Sequence, residues 1–320
     1  MSTEGGTRAI IAALTANLGI AATKFVAFLL TRSSSMLAES IHSLADSGNQ
    51  LLLLIGGKRA AREADEEHPF GYGRQRYVYA FLVSIVLFTV GGLFAIYEGV
   101  HKWQHPEPIE DWVWVPVAVL VVAIALESYS FRTAIVESNR TRGSRSWVQY
   151  VRTAKSPELP VVLLEDTAAL LGLVFALFGV VMTIVTGDGH WDAAGTLLIG
   201  LLLVVVALVL GIEMNSLLIG ESANKDAVER IRAALVGGSV ESVIHMRTLH
   251  LGPEELLVAA KIAVRASDSA ADVAAAIDEA ERRVRAVEPV ARVIYLEPDI
   301  RRPSGAGDSV PDVAGGAAHP

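Results

Sequence analysis

Two ionisable side chains, His42 and Asp46, lie four residues apart within a long and mainly apolar stretch of the sequence. If the stretch is helical, this spacing puts both on one helix face, where they can reach a single metal ion. Imidazole and carboxylate together suit Zn²⁺, and also Co²⁺, Ni²⁺ or Mn²⁺, whereas Mg²⁺ and Ca²⁺ favour oxygen ligands alone. The alternative is a structural pair in which His42 donates a hydrogen bond to Asp46. Charged groups inside a membrane are costly and are retained mainly for function, so the pattern favours a metal site.

A second apolar stretch is interrupted by two adjacent acids, Glu165 and Asp166. Neighbouring residues of a helix point about 100° apart, so the two carboxyl groups cannot both face one ion centrally. Asp166 is the predicted third ligand, and either Glu165 or a water molecule completes the set. An ion pair of Glu165 with Lys24, or a contact with a protonated Glu127, is an equally good interpretation. The chain has no cysteine, which excludes thiolate ligands.

Six segments are apolar and long enough to hold these residues inside a membrane, since a crossing helix needs about 20 mainly apolar residues. They cover residues 10–30, 35–57, 77–101, 113–136, 160–186 and 193–219. The pair of His42 and Asp46 lies in the second segment, and the two adjacent acids lie in the fifth. We therefore expect an all-α six-helix membrane bundle that occupies residues 8–220.

Basic residues predict the orientation of this bundle, because short cytoplasmic loops are enriched in Lys and Arg. Ten of them follow the second and fourth segments, whereas two lie in the other three loops. The ten are Lys58, Arg59, Arg62, Arg74, Arg76, Arg140, Arg142, Arg145, Arg152 and Lys155, and the two are Arg32 and Lys102. This asymmetry predicts a multi-pass protein with both termini in the cytoplasm, and we expect it in the plasma (inner) membrane. A net charge of −8 argues against nucleic acid as a partner.

Beyond the membrane segments, residues 221–300 have the composition of a small soluble domain, and residues 301–320 are expected to be disordered. The spacing of apolar residues predicts helices over 224–235 and 269–287 and strands over 240–251, 256–264 and 292–296. This αββαβ order predicts a cytoplasmic α+β domain of the ferredoxin-like type. A domain of this size is only marginally stable alone, which favours a homodimer.

Over residues 8–298 the sequence resembles the cation diffusion facilitator family of metal/proton antiporters. The resemblance is carried by the six apolar segments, the C-terminal domain and two motifs, SSMLAESIHSLADS at 34–47 and HPFGYGR at 68–74. The motif LLEDTAALLG at 163–172 is similar to the branch that contains the mitochondrial zinc transporter of animals. The resemblance implies a homodimeric secondary transporter that is not an enzyme and needs no cofactor.

The resemblance also implies a tetrahedral transport site with two ligands from the second helix and two from the fifth. His42 and Asp46 match the pair of the second helix, and Asp166 matches the last ligand of the fifth. Val162 stands where the remaining ligand is usual. Three residues therefore match the family site, with Glu165 as a possible fourth.

A weaker peripheral site is implied in the loop after the second helix, where Asp65 and His68 match the family's positions. Tyr72 stands where some members have a further histidine, so we expect a weak site or none. In the alternative interpretation, His68 caps the start of the third helix.

Some members of the family bind a zinc cluster in the C-terminal domain, and His245 and Glu297 match two of its positions. Lys261 and Tyr295 fill two others. An ammonium group opposes a dication, so we expect no cluster or a degraded one. His250 is then interpreted as a residue on the surface of a strand.

Metal ions and protons compete for the same atoms, because metal binding needs neutral imidazole and ionised carboxylates. Residues and resemblance together predict proton-coupled efflux of a divalent transition metal by alternating access, with Zn²⁺ as the expected substrate. The alternatives are transport of Mn²⁺, Fe²⁺, Co²⁺ or Ni²⁺, a metal sensor that does not transport and, more distantly, an intramembrane metalloenzyme, for which no HExxH motif is present. Arg74 is expected either to form an inter-helix salt bridge, with Glu221 as the acid, or to anchor the helix end.

Overall fold

The computed structural model describes residues 2–31, 34–106 and 113–300. The predicted disordered tail, residues 301–320, lies outside these ranges. Within the helices, the structure does not describe the side chains of residues 2–4, 31, 34–39, 41, 42 and 45. The chain divides into two compact units, Met1–Ile219 and Gly220–Pro320, and each has its own apolar core.

Long helices make up the first unit. They are α1 (Ser2–Thr31), α2 (Ser34–Ala60), α3 (Gln75–Val86), α4 (Phe94–Gln104), α5 (Trp114–Arg142), the short α6 (Trp147–Thr153), α7 (Glu158–Thr186) and α8 (His190–Ile219). A π-helical segment, Leu87–Leu93, joins α3 to α4 without a break. Five stretches of the described chain are long and apolar enough to cross a membrane. They are Gly5–Leu30, Gln75–Gln104, Trp114–Arg142, Glu158–Thr186 and His190–Ile219.

Helix α2, which carries the predicted metal-binding pair, is not one of these five stretches. Its 27 residues extend about 40 Å, which exceeds the roughly 30 Å of the hydrocarbon core. Its composition sets it apart, because it carries several buried polar side chains. They are Ser40, Ser43, Ser47, Asn49 and Gln50. Five of the six predicted segments are thus confirmed as helices able to span a membrane, and α2 as the sixth remains a prediction.

Close packing joins α8 to the span formed by α3, the π-helical segment and α4. A Cβ atom on Gly99 would lie 2.9 Å from the backbone nitrogen of Leu197, and one on Gly200 would lie 2.8 Å from that of Ile96. Glycine is therefore needed at both positions for the helices to approach so closely. Elsewhere in the bundle, α1 packs against α2 and α5, and α5 packs against α7. The ionisable side chains of α5 and α7 consequently meet inside the bundle.

An ion pair joins the first turns of α3 and α7. Arg76 donates a hydrogen bond of 2.9 Å to Glu158, and the two side chains are 16% and 8% exposed. This inter-helix salt bridge lies two residues beyond Arg74, the residue for which one was expected. Arg74 itself is the N-cap residue of α3. Its predicted pairing with Glu221 remains a prediction.

The second unit contains α9 (Lys225–Leu235), β1 (Val240–Gly252), β2 (Glu255–Val264), α10 (Ala270–Val287) and β3 (Val293–Asp299). The three strands form a sheet in the order β1-β2-β3, with β1 antiparallel and β3 parallel to β2. Asn224 and Ser269 cap the two helices through their side chains. The predicted order of helices and strands is confirmed, while the ferredoxin-like fold remains a prediction.

His250 is buried, with 7% of its surface exposed, so its interpretation as a strand-surface residue is wrong. Its backbone N–H donates to the carbonyl oxygen of Glu221 at 2.9 Å. The segment before α9 therefore packs over this end of β1. Side chains that would face the solvent in an uncovered strand are buried there.

Candidate metal centre

Asp166 on α7 is buried where this helix packs against α5. Its Oδ2 atom accepts a hydrogen bond of 2.7 Å from the hydroxyl of Ser130 on α5. The buried side chain of Glu127, also on α5, is in hydrogen-bonding contact with Asp166 as well. Glu127 and Ser130 are three residues apart and share one face of their helix. Two carboxyl groups from two helices thus meet inside the bundle.

Glu165 contacts a different helix from its neighbour Asp166, as the rotation of about 100° per residue requires. Its Oε1 atom accepts a hydrogen bond from Asn49 and its Oε2 atom accepts one from Gln50, each at 3.0 Å. Gln50 in turn accepts a hydrogen bond of 3.3 Å from Asn17 on α1. Glu165 is therefore the centre of a polar network that joins α1, α2 and α7. The two amides are the hydrogen-bond partners that the structure describes for Glu165, and the predicted contacts with Lys24 and Glu127 remain predictions.

Asp46 lies about one turn before Asn49 and Gln50 on α2 and shares their helix face. It is within electrostatic range of Glu127 and of Glu165. The side chain of its predicted partner His42 lies outside the part of α2 that the structure describes. Among the side chains that are described, no three His, Asp or Glu residues are grouped so as to hold a metal ion. The complete ligand set, which needs His42, therefore remains a prediction.

Val162 lies one turn before Asp166 on α7 and is fully buried. Its isopropyl group offers no ligand at the position where the family resemblance expects one. The structure places the carboxyl group of Glu127 beside Asp166 from another helix. Sequence reasoning treated Glu127 only as a partner for Glu165 and overlooked Ser130. The available signal was an acid in the middle of an apolar segment, followed three residues later by a hydroxyl.

In this part of the bundle four carboxyl groups each lie within electrostatic range of at least two of the others. They are those of Asp46, Glu127, Glu165 and Asp166. An ionised group at bilayer depth costs about 2.5–3.5 kcal/mol, so the three on α5 and α7, if all were ionised without a cation, would cost roughly 8–10 kcal/mol. That is comparable to the whole stability of a typical domain, about 5–15 kcal/mol. Protons or a bound cation would remove most of this cost.

Residues 10–219, about two thirds of the chain, match the family described as the cation efflux transmembrane domain. The chain belongs to the cation efflux family. The resemblance to the cation diffusion facilitators, which are this same family, is thereby confirmed. Members of the cation efflux family are transporters rather than enzymes, which confirms the prediction that the chain is not an enzyme.

Three relatives show how far the similarity extends. The chain is 36% identical over 225 residues to the mitochondrial proton-coupled zinc antiporter of Xenopus laevis, a match that covers 69% of this chain and 40% of that protein. It is 28% identical over 260 residues to metal tolerance protein C4 of Arabidopsis thaliana, covering 80% of this chain and 56% of the relative. It is 27% identical over 273 residues to the magnetosome protein MamB of a Magnetospira species, covering 83% and 87%. The chain thus spans about two fifths of the zinc antiporter's length.

In the loop between α2 and α3, Asp65 is engaged by neighbouring protein groups. Its Oδ1 atom accepts a hydrogen bond of 2.7 Å from the backbone of His68, and its Oδ2 atom accepts one of 2.6 Å from the hydroxyl of Tyr72. These hydrogen bonds hold the pKa of Asp65 below its usual value, and the one from Tyr72 has the larger effect. His68 Nδ1 lies 3.6 Å from the same carboxylate, so the two predicted residues are close together. The interpretation of His68 as the cap of α3 is wrong, because the N-cap residue is Arg74.

In the second unit, His245, Lys261 and Glu297 form one row across β1, β2 and β3. The ammonium group of Lys261 lies 3.4 Å from Glu297 Oε1 and 3.0 Å from Asp299 Oδ2. The hydrogen bond to Asp299, followed by that to Glu297, raises the pKa of Lys261 above its usual value. A fixed positive charge thus occupies the centre of the row and opposes a dication. A degraded cluster with His245 and Glu297 as its remaining ligands is still a prediction.

Proposed function

We propose that this protein is a proton-coupled antiporter that exports a divalent transition-metal ion, with Zn²⁺ as the expected substrate, by alternating access. The observation that carries the proposal is the meeting of Glu127 and Asp166 inside a bundle of apolar helices, with Asp46 in electrostatic range. Acids retained in such surroundings mark ion pathways. Membership of the cation efflux family and similarity to a zinc antiporter support the same function.

In this proposal the ion is held by His42 and Asp46 from α2, Asp166 from α7 and Glu127 from α5. Glu127 supplies the ligand that Val162 cannot. One imidazole with three carboxylates is a harder donor set than one with two imidazoles, because oxygen ligands suit harder ions. This donor set is also the reason to keep Mn²⁺, Fe²⁺, Co²⁺ and Ni²⁺ as alternative substrates.

Glu165, a possible ligand by sequence, takes a positioning role in the proposal. Both of its carboxylate oxygens accept hydrogen bonds from the amides of Asn49 and Gln50. An ion would have to displace these bonds to reach it, whereas the contact of Glu127 with Asp166 already brings two acids together. Glu165 instead ties α7 to the part of α2 that follows Asp46.

Proton exchange follows from the same atoms. Two carboxyl groups share a hydrogen bond only when one of them holds a proton, so the contact of Glu127 with Asp166 stores a proton that an arriving cation displaces. Protons that enter from the opposite side then compete with the ion for its ligands and release it. A proton gradient directed into the cytoplasm would therefore drive the metal out.

The proposal includes a homodimer in the plasma (inner) membrane with both termini in the cytoplasm. The charge asymmetry of the loops supports this orientation. The relatives from Xenopus laevis and Homo sapiens are named as mitochondrial proteins. Fractionation of cells that produce the chain would decide between these two membranes.

Zinc uptake into proteoliposomes tests the proposed function. The full chain is reconstituted, a pH gradient is imposed, and Zn²⁺ is followed with an indicator enclosed in the vesicles. His42→Ala and Asp46→Ala are each expected to lower uptake at least about tenfold, because each removes a ligand. Glu241→Ala, which removes an exposed acid of β1, is the matched control and should leave uptake unchanged. Zinc uptake that is unchanged by both site substitutions would contradict the proposed function.

Restoring a ligand at position 162 tests the donor set. Val162→His adds an imidazole one turn before Asp166, on the same helix face. We expect the preference for Zn²⁺ over Mn²⁺ in competition transport assays to rise about tenfold, equivalent to about 1.4 kcal/mol. Val162→Leu, which adds volume without a donor atom, is the control. An equal preference in the two variants would contradict the assignment of this position to the site.

A further inference from the structure

We propose a second site for a divalent transition-metal ion, formed on the surface by His101 and His105 at the end of α4. The two residues are four apart and therefore share one helix face. Their ring centroids are 5.0 Å apart, and the ring planes are inclined by 32°. Both side chains are exposed, so an ion can reach them from the solvent. Neither residue belongs to the proposed transport site.

The separation of the two rings fits a shared ion. Zinc binds imidazole nitrogen at about 2.0–2.1 Å with tetrahedral geometry, which places the centres of two coordinating rings about 5 Å apart. The observed separation of 5.0 Å meets this requirement.

Local hydrogen bonding prepares His105 as a ligand. Its Nδ1 atom lies 3.3 Å from the carbonyl oxygen of His101. When Nδ1–H donates to that oxygen, the lone pair is on Nε2, the arrangement in which metal-binding histidines are commonly held. His105 is also the C-cap residue of α4, and the negative end of a helix dipole favours a cation.

Contacts between α4 and the start of α8 hold the two histidines in place. Lys102, the basic neighbour in the same turn, is paired with Asp192 of α8 at 2.9 Å, which offsets its repulsion of a cation. Trp103 packs edge-on against His190, with ring centroids 5.1 Å apart. His190 is held by Asp188, whose Oδ1 atom lies 2.6 Å from its Nδ1 atom. These contacts fix the end of α4 against the start of α8.

Two imidazoles, with water in the remaining coordination positions, make a weak and exchangeable site rather than a structural one. The pair lies at the end of the bundle opposite the basic loops that follow α2 and α5. If the proposed function holds, this is the side on which metal is released, and the pair would receive the departing ion. That role rests on the proposed function, whereas binding itself does not.

Copper binding to the full chain in detergent tests the site. Imidazole binds Cu²⁺ well, and electron paramagnetic resonance counts the nitrogen ligands. The measurement is made in a His42→Ala background, so failure of the proposed transport site leaves it intact. We expect one Cu²⁺ per chain with two nitrogen ligands, its loss in H101Q/H105Q, and at least about tenfold weaker binding in either single variant. Gln104→Ala, which changes an exposed residue of the same turn, is the control and should leave the signal unchanged.

A second measurement needs no substitution. Diethylpyrocarbonate modifies accessible imidazoles, and mass spectrometry locates the products on the wild-type chain. We expect Zn²⁺ to protect His101 and His105 while His190 is modified as before. Equal modification with and without Zn²⁺ would mean that the two rings only stack, and it would overturn the proposal. A two-nitrogen copper signal that survives the double substitution would overturn it as well.

Discussion

Glu127→Gln is expected to lower Zn²⁺ transport about 100-fold while leaving the protein folded. The substitution keeps the size and polarity of the side chain but removes its negative charge and its metal-binding oxygen pair. The contact with Asp166 can persist as an amide–carboxylate hydrogen bond, so the packing of α5 on α7 is retained. The lost ligand is equivalent to about 2.7 kcal/mol of binding free energy. Zinc affinity of the purified protein and initial uptake rates in proteoliposomes measure the effect.

Glu165→Gln is the matched comparison, because it makes the same chemical change in the adjacent acid of the cluster. Glu165 accepts bonds from Asn49 and Gln50, so its substitution should weaken the contact of α7 with α2 and leave zinc affinity within about tenfold of wild type. The two variants therefore separate a ligand from a positioning residue. If Glu165→Gln lost more zinc affinity than Glu127→Gln, the two roles would have to be exchanged.

The arrangement of helices and strands was largely predictable because it depends on local signals. Runs of apolar residues predicted five helices that the structure confirms as long and apolar enough to span a membrane. In the C-terminal unit, the side chains of Asn224 and Ser269 cap the two helices, and both residue types are common N-caps, so the helix starts also have a local cause. The π-helical segment Leu87–Leu93 had no such signal. It extends a continuous apolar run, and its geometry depends on packing against α8.

The site was predictable only in part, because its polar partners come from several helices. The spacing of His42 and Asp46 is a property of one helix, and so is the divergence of Glu165 from Asp166. Which acid faces which helix depends on how the bundle is assembled. The contact of Glu127 with Asp166 joins residues 39 positions apart in the sequence. A single sequence cannot specify such a pair, although an acid in an apolar segment marks where to look.

The same limitation explains the ion pair at the end of the bundle. Basic residues near the start of α3 were noticed, but the structure pairs Arg76, rather than Arg74, with an acid of another helix. Residues two apart on a helix point in nearly opposite directions, about 200° around the axis. Only the one that faces α7 can reach Glu158.

Arg76→Leu is expected to destabilise the bundle by about 3 kcal/mol, because it removes the 2.9 Å ion pair that the buried Glu158 makes with α3. The free energy of unfolding is measured by denaturant titration in mixed micelles, and the melting temperature should fall with it. Arg282→Leu is the control. Arg282 pairs with Glu279 on the surface of α10, where the two side chains are 74% and 39% exposed, so its loss should cost less than about 1 kcal/mol.

The double variant R76L/E158L separates the ion pair from other effects of the two side chains. With both side chains replaced, the buried carboxylate that Arg76 pairs with is also removed, and two leucines can pack where the ion pair stood. We therefore expect the double variant to be more stable than Arg76→Leu alone, in spite of carrying one more substitution. Strictly additive losses would show that the two side chains act independently, which would contradict the role assigned to their 2.9 Å contact. Recovery in the double variant would instead show that the two charges are needed as a pair. The ion pair would then hold the first turns of α3 and α7 together.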